Sequence, residues 1–153
     1  SKRTQVVLAI AGTVDARAKR HLQKHQCDSV QILGVLPRES IPEHIRASHV
    51  LFSAEINPPC PNSVIEALAC GTPVVGFDTG SLHELVSNMA GTLVPYGGDP
   101  WKLEAPDVHG LADATEGILY NQEDFRKAAR QRAVNVLGVD KMVDEYLKVL
   151  LED

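Results

Sequence analysis

No apolar run in this sequence approaches the ~20 residues that a membrane-crossing helix needs, and Ser1-Lys2-Arg3 leads into a short strand-like run rather than a secretory leader. Cysteine is scarce as well: Cys27, Cys60 and Cys70 form no C-x-x-C pair and no even-numbered set. That argues against a zinc site and a secreted disulfide framework, and for reduced thiols in a cytoplasmic compartment. Positive charge is not in excess. With 15 Lys and Arg against 20 Asp and Glu, the formal charge is −5, and the basic residues are scattered along the sequence. This balance argues against a nucleic-acid-binding surface. Internal repeats and low-complexity tracts are also missing.

What is present is a chain of 153 residues, 44% hydrophobic, long enough for one sizeable core and too short for two ordinary domains. Its N-terminal half alternates short β-branched runs with helix-like segments. That is the pattern of an α/β fold, a Rossmann-like parallel sheet with helices on both faces. Gln5–Ile10 reads as a buried strand, Asp15 as the cap of a helix over Ala16–His25, and Ser29–Leu33 as the next strand. Ser40 should cap a short helix running to Ala47, before a strand over His49–Ser53.

Prolines at 58, 59 and 61 remove backbone donors, so 56–61 is a loop. Asn62 or Ser63 then begins a helix through Cys70, closed by Gly71 with Pro73 beyond. Strands are expected over Val74–Phe77 and Gly91–Val94, with a helix from Ser81 to Val86 between them. Pro95 to Gly110 has no period and reads as a surface excursion. Helices should follow over Gly110–Tyr120, Glu123–Leu137 and Lys141–Leu151. In the last, Met142, Tyr146, Leu147 and Leu150 form a stripe expected to pack on the chain's own core.

In open α/β sheets, ligands bind beyond the carboxyl ends of the strands, where helix N-termini present free N–H groups. Two such junctions occur here, Pro58–Glu66 and Asp78–Glu84, and either could hold a phosphate through backbone donors alone. A reading that needs no ligand competes. Ser63-Val64-Ile65-Glu66 and Ser81-Leu82-His83-Glu84 both fit the S-x-x-E capping box, and spacing by itself favours capping.

The run from Pro61 to Val86, PNSVIEALACGTPVVGFDTGSLHELV, resembles the signature of GT-B glycosyltransferases of family 4, also called group 1. Weaker similarity extends over Val6–Gly12, Gln31–Val50 and Gly91-Thr92-Leu93-Val94-Pro95. The resemblance implies the C-terminal half of a GT-B fold, a domain that holds a nucleotide diphosphate sugar for transfer with retention at the anomeric carbon. By that match Glu66, the second glutamate of the family's E-x7-E motif, bonds the ribose hydroxyls. Backbone N–H groups of Asn62, Ser63 and Val64, and those at Gly80 and Ser81, would face the diphosphate and sugar. Gly34, Val35 and Leu36 would lie beside the base. No metal and no cofactor is implied beyond the sugar nucleotide itself, and no catalytic residue can be named.

Three departures qualify the match. Pro58 stands where the first motif glutamate belongs, which removes an acceptor for the sugar hydroxyls; Glu55 replaces it only if the loop bends back. The resemblance implies that the family's Arg and Lys that neutralise the diphosphate belong to a strand-helix unit before the first residue given, and that the N-terminal acceptor domain is expected to lie outside this chain as well. The chain is therefore expected to need that domain or a partner chain for turnover. Any peripheral membrane association is expected only through those absent parts. Ser81 replaces a common glycine. The alternative is a degenerate, non-catalytic nucleotide-binding or scaffolding module of the same fold.

Lesser features have plainer readings. His21 and His25 suit a solvated helix face better than a metal pair, and His83 is incidental. Cys60 is expected to pack, and Tyr96 with Trp101 to close a small satellite cluster.

Overall fold

The computed structural model describes residues 6–24, 29–87 and 89–151. The expected strand start at Gln5, helix end at His25, and Cys27 lie outside them. The chain divides into two compact units, Ser1–Ile41 and Pro42–Asp153.

In the first unit, β1 (Leu8–Ala11) and β2 (Val30–Gly34) pair in parallel, Leu8 opposite Val30, with a register shift between Ile10 and Ala11. The helix α1 (Ala16–Lys24) starts where the Asp15 carboxylate accepts from the Ala18 N–H at 2.7 Å, the expected cap. The buried strand expected over Gln5–Ile10 is corrected: Leu8 is 44% exposed, and none of the described residues of this unit is buried. Two strands and one helix offer too little surface to enclose both faces of a sheet. Ser40 is corrected as well. It ends a 3-10 turn, Arg38–Ser40, and its hydroxyl donates to the Pro37 carbonyl at 2.8 Å instead of capping α2 (Ile41–Ala47).

The second unit holds β3 (Leu51–Ser53), β4 (Val74–Phe77) and β5 (Gly91–Val94), all parallel in the order β3-β4-β5. β4 is buried on both faces. Val74 belongs to a core with Val64 and Leu68 of α3 (Asn62–Ala69), Leu82 and Leu85 of α4 (Leu82–Leu85), and Ala129 and Ala133 of α6 (Gln122–Val136). Val75 and Phe77 belong to another, with Tyr96 and with Leu111 and Ile118 of α5 (Val108–Tyr120). Alternation along one strand thus separates two helical layers, which is why β4 reads as a continuous apolar run.

The final helix, α7 (Val139–Leu151), departs from expectation. It has no buried residue; Met142 is 51% exposed, Tyr146 65%, Leu147 47% and Leu150 75%, so the stripe does not pack on the chain's own core. Periodicity marks a helix with an apolar face; it cannot say what covers that face. Among the described residues no helix is long and apolar enough to cross a membrane.

Candidate functional site

Because β3, β4 and β5 run in parallel, their carboxyl ends share one edge of the sheet. The loops 54–61, 78–81 and 95–107 all leave from there. The first two are laced together. Pro58 is fully buried, and its carbonyl accepts from the Ser81 N–H at 2.9 Å and the Ser81 hydroxyl at 3.1 Å. The Asn57 N–H donates to the Thr79 hydroxyl at 3.4 Å, with Asn57 at φ 54°. Gly80 makes this approach possible. At φ +56°, a Cβ there would lie 2.4 Å from the Pro58 carbonyl oxygen.

These contacts revise the expected donor set. The N–H and hydroxyl of Ser81 are engaged with the Pro58 carbonyl, whereas the N–H of Gly80 has no partner among the described residues. At the other junction α3 starts at Asn62 with Pro61 in the cap position. Its first turn is tight: the Val64 N–H donates to the Pro61 carbonyl at 3.0 Å, and Val64 is fully buried. The Val64 side chain thus belongs to the core, and its N–H is engaged within the first turn. The N–H groups of Asn62 and Ser63 have no partner among the described residues, as first-turn donors lack an intrahelical one.

Neither capping box forms. Since Pro61 occupies the cap position of α3, Ser63 lies inside the helix, and no side chain caps it. Ser81 does sit at the cap of α4, but its hydroxyl turns to Pro58. Both glutamates are consequently left over. Glu66 is exposed, and its carboxylate has no hydrogen-bond partner among the described residues. Glu84 is equally exposed, 3.9 Å from His83 Nε2, while His83 Nδ1 lies 4.0 Å from Asp78. Glu55 is exposed on the loop that Pro58 anchors.

A family model described as Glycosyl transferases group 1 matches residues 1–121. The chain belongs to the group 1 glycosyl transferases. It is 30% identical over 126 residues to the 2-deoxystreptamine N-acetyl-D-glucosaminyltransferase of Streptomyces fradiae, an alignment covering 78% of this chain and 28% of that protein. The pneumococcal O-GlcNAc transferase GtfA, solved with UDP and GlcNAc, superposes with a TM-score of 0.72 at 19% identity, over 96% of this chain and 30% of that one. HepE of Anabaena, solved with UDP-glucose, gives 0.73 at 18% identity, over 97% of this chain and 41% of that one. These structural likenesses establish the Rossmann-like α/β fold of GT-B glycosyltransferases. The chain spans well under half the length of each of these relatives.

Within this group 1 chain, Asn62, Ser63 and Glu66 share α3, and Gly80 is joined to the same loop edge through Pro58. Gly34, Val35 and Leu36 belong to the first unit, at the end of β2. There Gly34 has φ +71° and accepts from the Gly12 N–H at 2.7 Å, while Val35 is 77% exposed. Sequence reasoning missed the tie between Pro58 and Ser81, since the two are 23 positions apart and no local pattern links them. Tyr96 and Trp101 do not form one cluster. Tyr96 is buried edge-on against Phe77, centroids 5.0 Å apart, and Trp101 is 81% exposed. Cys60 is exposed rather than packed, and neither it nor Cys70 is in a disulfide. No group of three metal-ligating side chains occurs among the described residues.

Proposed function

We propose that this chain is the single nucleotide-sugar donor-binding domain of a retaining glycosyltransferase, the C-terminal half of a GT-B enzyme, acting in the cytoplasm. The observation that carries the reading is the state of Glu66. Its carboxylate is free on the first turns of α3, beside the open N–H groups of Asn62 and Ser63, because the capping box that would explain it is not made. Two carboxylate oxygens can accept from two adjacent ribose hydroxyls, and the helix start can take a diphosphate. UDP and UDP-glucose in the structures of GtfA and HepE support a nucleotide donor for this family.

In this reading Asn62, Ser63 and Gly80 supply backbone donors to the leaving diphosphate as its charge grows, the logic of an oxyanion hole. No metal or cofactor is assigned a role. Turnover depends on protein beyond this chain, an acceptor-binding domain or partner.

Titration of the labelled chain with UDP, GDP and ADP, followed by amide NMR, tests the proposal. Shifts concentrated at Asn62–Glu66 and Gly80 are expected, strongest for the cognate base; a nucleotide-insensitive spectrum at millimolar ligand defeats it.

One observation favours a second reading, a non-catalytic module of the same fold. Pro58 occupies the first motif position as a buried anchor whose carbonyl holds Ser81. Its side chain cannot read a sugar. A scaffolding module shows no nucleotide shifts at any of these sites, whereas a non-catalytic nucleotide-binding one shows them without turnover even when joined to an acceptor domain.

A further inference from the structure

On the opposite edge of the second unit, away from the strand ends, the basic residues that look scattered in sequence come together. A groove of about 680 Å³ is lined by Arg46, Cys70, Gly71, Arg126, Lys127 and Arg130. Its walls are the last turn of α2, the C-terminus of α3 and one face of α6. The fit is close at Gly71, where φ is +70° and a Cβ would meet the Arg126 carbonyl oxygen at 3.5 Å and the Arg130 Cβ at 3.6 Å.

Two of the guanidiniums are held in place by the fold. Arg126 donates to the Ser48 carbonyl at 2.9 Å and the Arg46 carbonyl at 3.1 Å, and Arg130 donates to the Ala69 carbonyl at 2.5 Å. These bonds satisfy helix-end carbonyls and fix the side chains, yet each guanidinium has five N–H donors and most remain open. Arg46 makes no side-chain hydrogen bond among the described residues.

We propose that this groove binds a phosphate-bearing anion. Two helix C-termini oppose that, with roughly half a negative charge each, as does Glu123, which pairs with Lys127 at 2.6 Å. Four cationic side chains outweigh them, in a protein whose overall charge is −5. Pinned guanidiniums suit phosphate because planar forks meet its oxygens in pairs at little further ordering cost. The volume suits a phosphate on a larger body, from a soluble phosphorylated metabolite or a lipid headgroup. The inference does not rest on the donor-site reading.

The test is an NMR titration of the labelled chain with inorganic pyrophosphate at constant ionic strength, with chloride as control. Shifts at Gly71 and Arg126–Gln131 are expected. In the Arg46→Gln, Lys127→Gln double variant, which loses no bond to the backbone, binding should fall about tenfold or more. Arg130→Gln provides a second variant at the pinned position. A parallel arm measures sedimentation with phosphatidylglycerol vesicles against phosphatidylcholine vesicles. If only the anionic vesicles bind, and the double variant abolishes it, the phosphate is a headgroup's. Silence in both arms, or binding that the variants leave unchanged, overturns the proposal. Shifts confined to Asn62, Ser63 and Gly80 also overturn it, while supporting the donor site.

Discussion

Glu66 and Gly80 show how one residue can be assigned to function or to fold. Were Glu66 a capping residue, its removal would weaken α3; the structure gives it no such bond. Glu66→Ala is therefore expected to leave the thermal midpoint nearly unchanged and to weaken nucleotide binding by ~1–3 kcal/mol, measured by calorimetric titration. A loss of stability with unchanged affinity would return it to a capping role. Gly80 is the reverse case. With φ +56° and a Cβ position 2.4 Å from the Pro58 carbonyl oxygen, Gly80→Ala forces Pro58 and α4 apart. It should destabilise the fold by about 1–3 kcal/mol in denaturant unfolding, from backbone strain and a weakened Ser81 tie.

Among the elements, α3 and α7 are both amphipathic, yet only one carries the core. Leu68 of α3 is fully enclosed with Val74, Leu82 and Ala129, so Leu68→Ala should cost about 2–5 kcal/mol. Leu147 of α7 is 47% exposed, and Leu147→Ala should change stability by no more than ~0.5 kcal/mol. Chemical denaturation of the two variants checks the contrast directly.

On α6, the Glu123–Lys127 hydrogen bond and charge pairing hold the Glu123 carboxyl below its usual pKa and the Lys127 ammonium above its own. The carboxyl's contribution is present above its unfolded pKa and is lost as pH falls through the folded value. The ammonium's is present below its unfolded pKa and is lost as pH rises through the folded value. The pair therefore acts between the ordinary carboxylate and lysine ranges. In Lys127→Met, the Glu123 titration followed by NMR should move up toward the ordinary glutamate range; an unmoved midpoint would deny the pairing in solution.

At the scale of the whole molecule, burial is uneven. All buried hydrophobic residues described fall between Val64 and Ala133, in the second unit, and β4 is covered on both faces. Native-state hydrogen exchange should show amides of β1 and β2 opening at a much lower free energy than those of β4. Equal protection in both would mean that the first unit is sheltered in a way its burial does not show.

The same unevenness explains what could be read in advance. Val74–Phe77 and Gly91–Val94 were legible to the residue, because short β-branched runs between glycine and proline signals leave few alternatives. Val6–Ile10 has the same kind of composition, yet none of its residues is buried, so its pattern misled.

By itself, the sequence determined the α/β alternation, the proline loop, the helix stop at Gly71 and membership of group 1. Each is written in local spacing or in a contiguous signature. Tertiary structure alone decided which donors stay open, because Pro58 meets Ser81, and Pro61 takes the cap that spacing had assigned to Ser63. It also decided that α7 lies uncovered and that Arg46 joins Arg126 and Arg130 in one groove. Hydrogen-bond donors and charges act over a few ångströms of space, and residues far apart in the chain become neighbours only once the sheet is built.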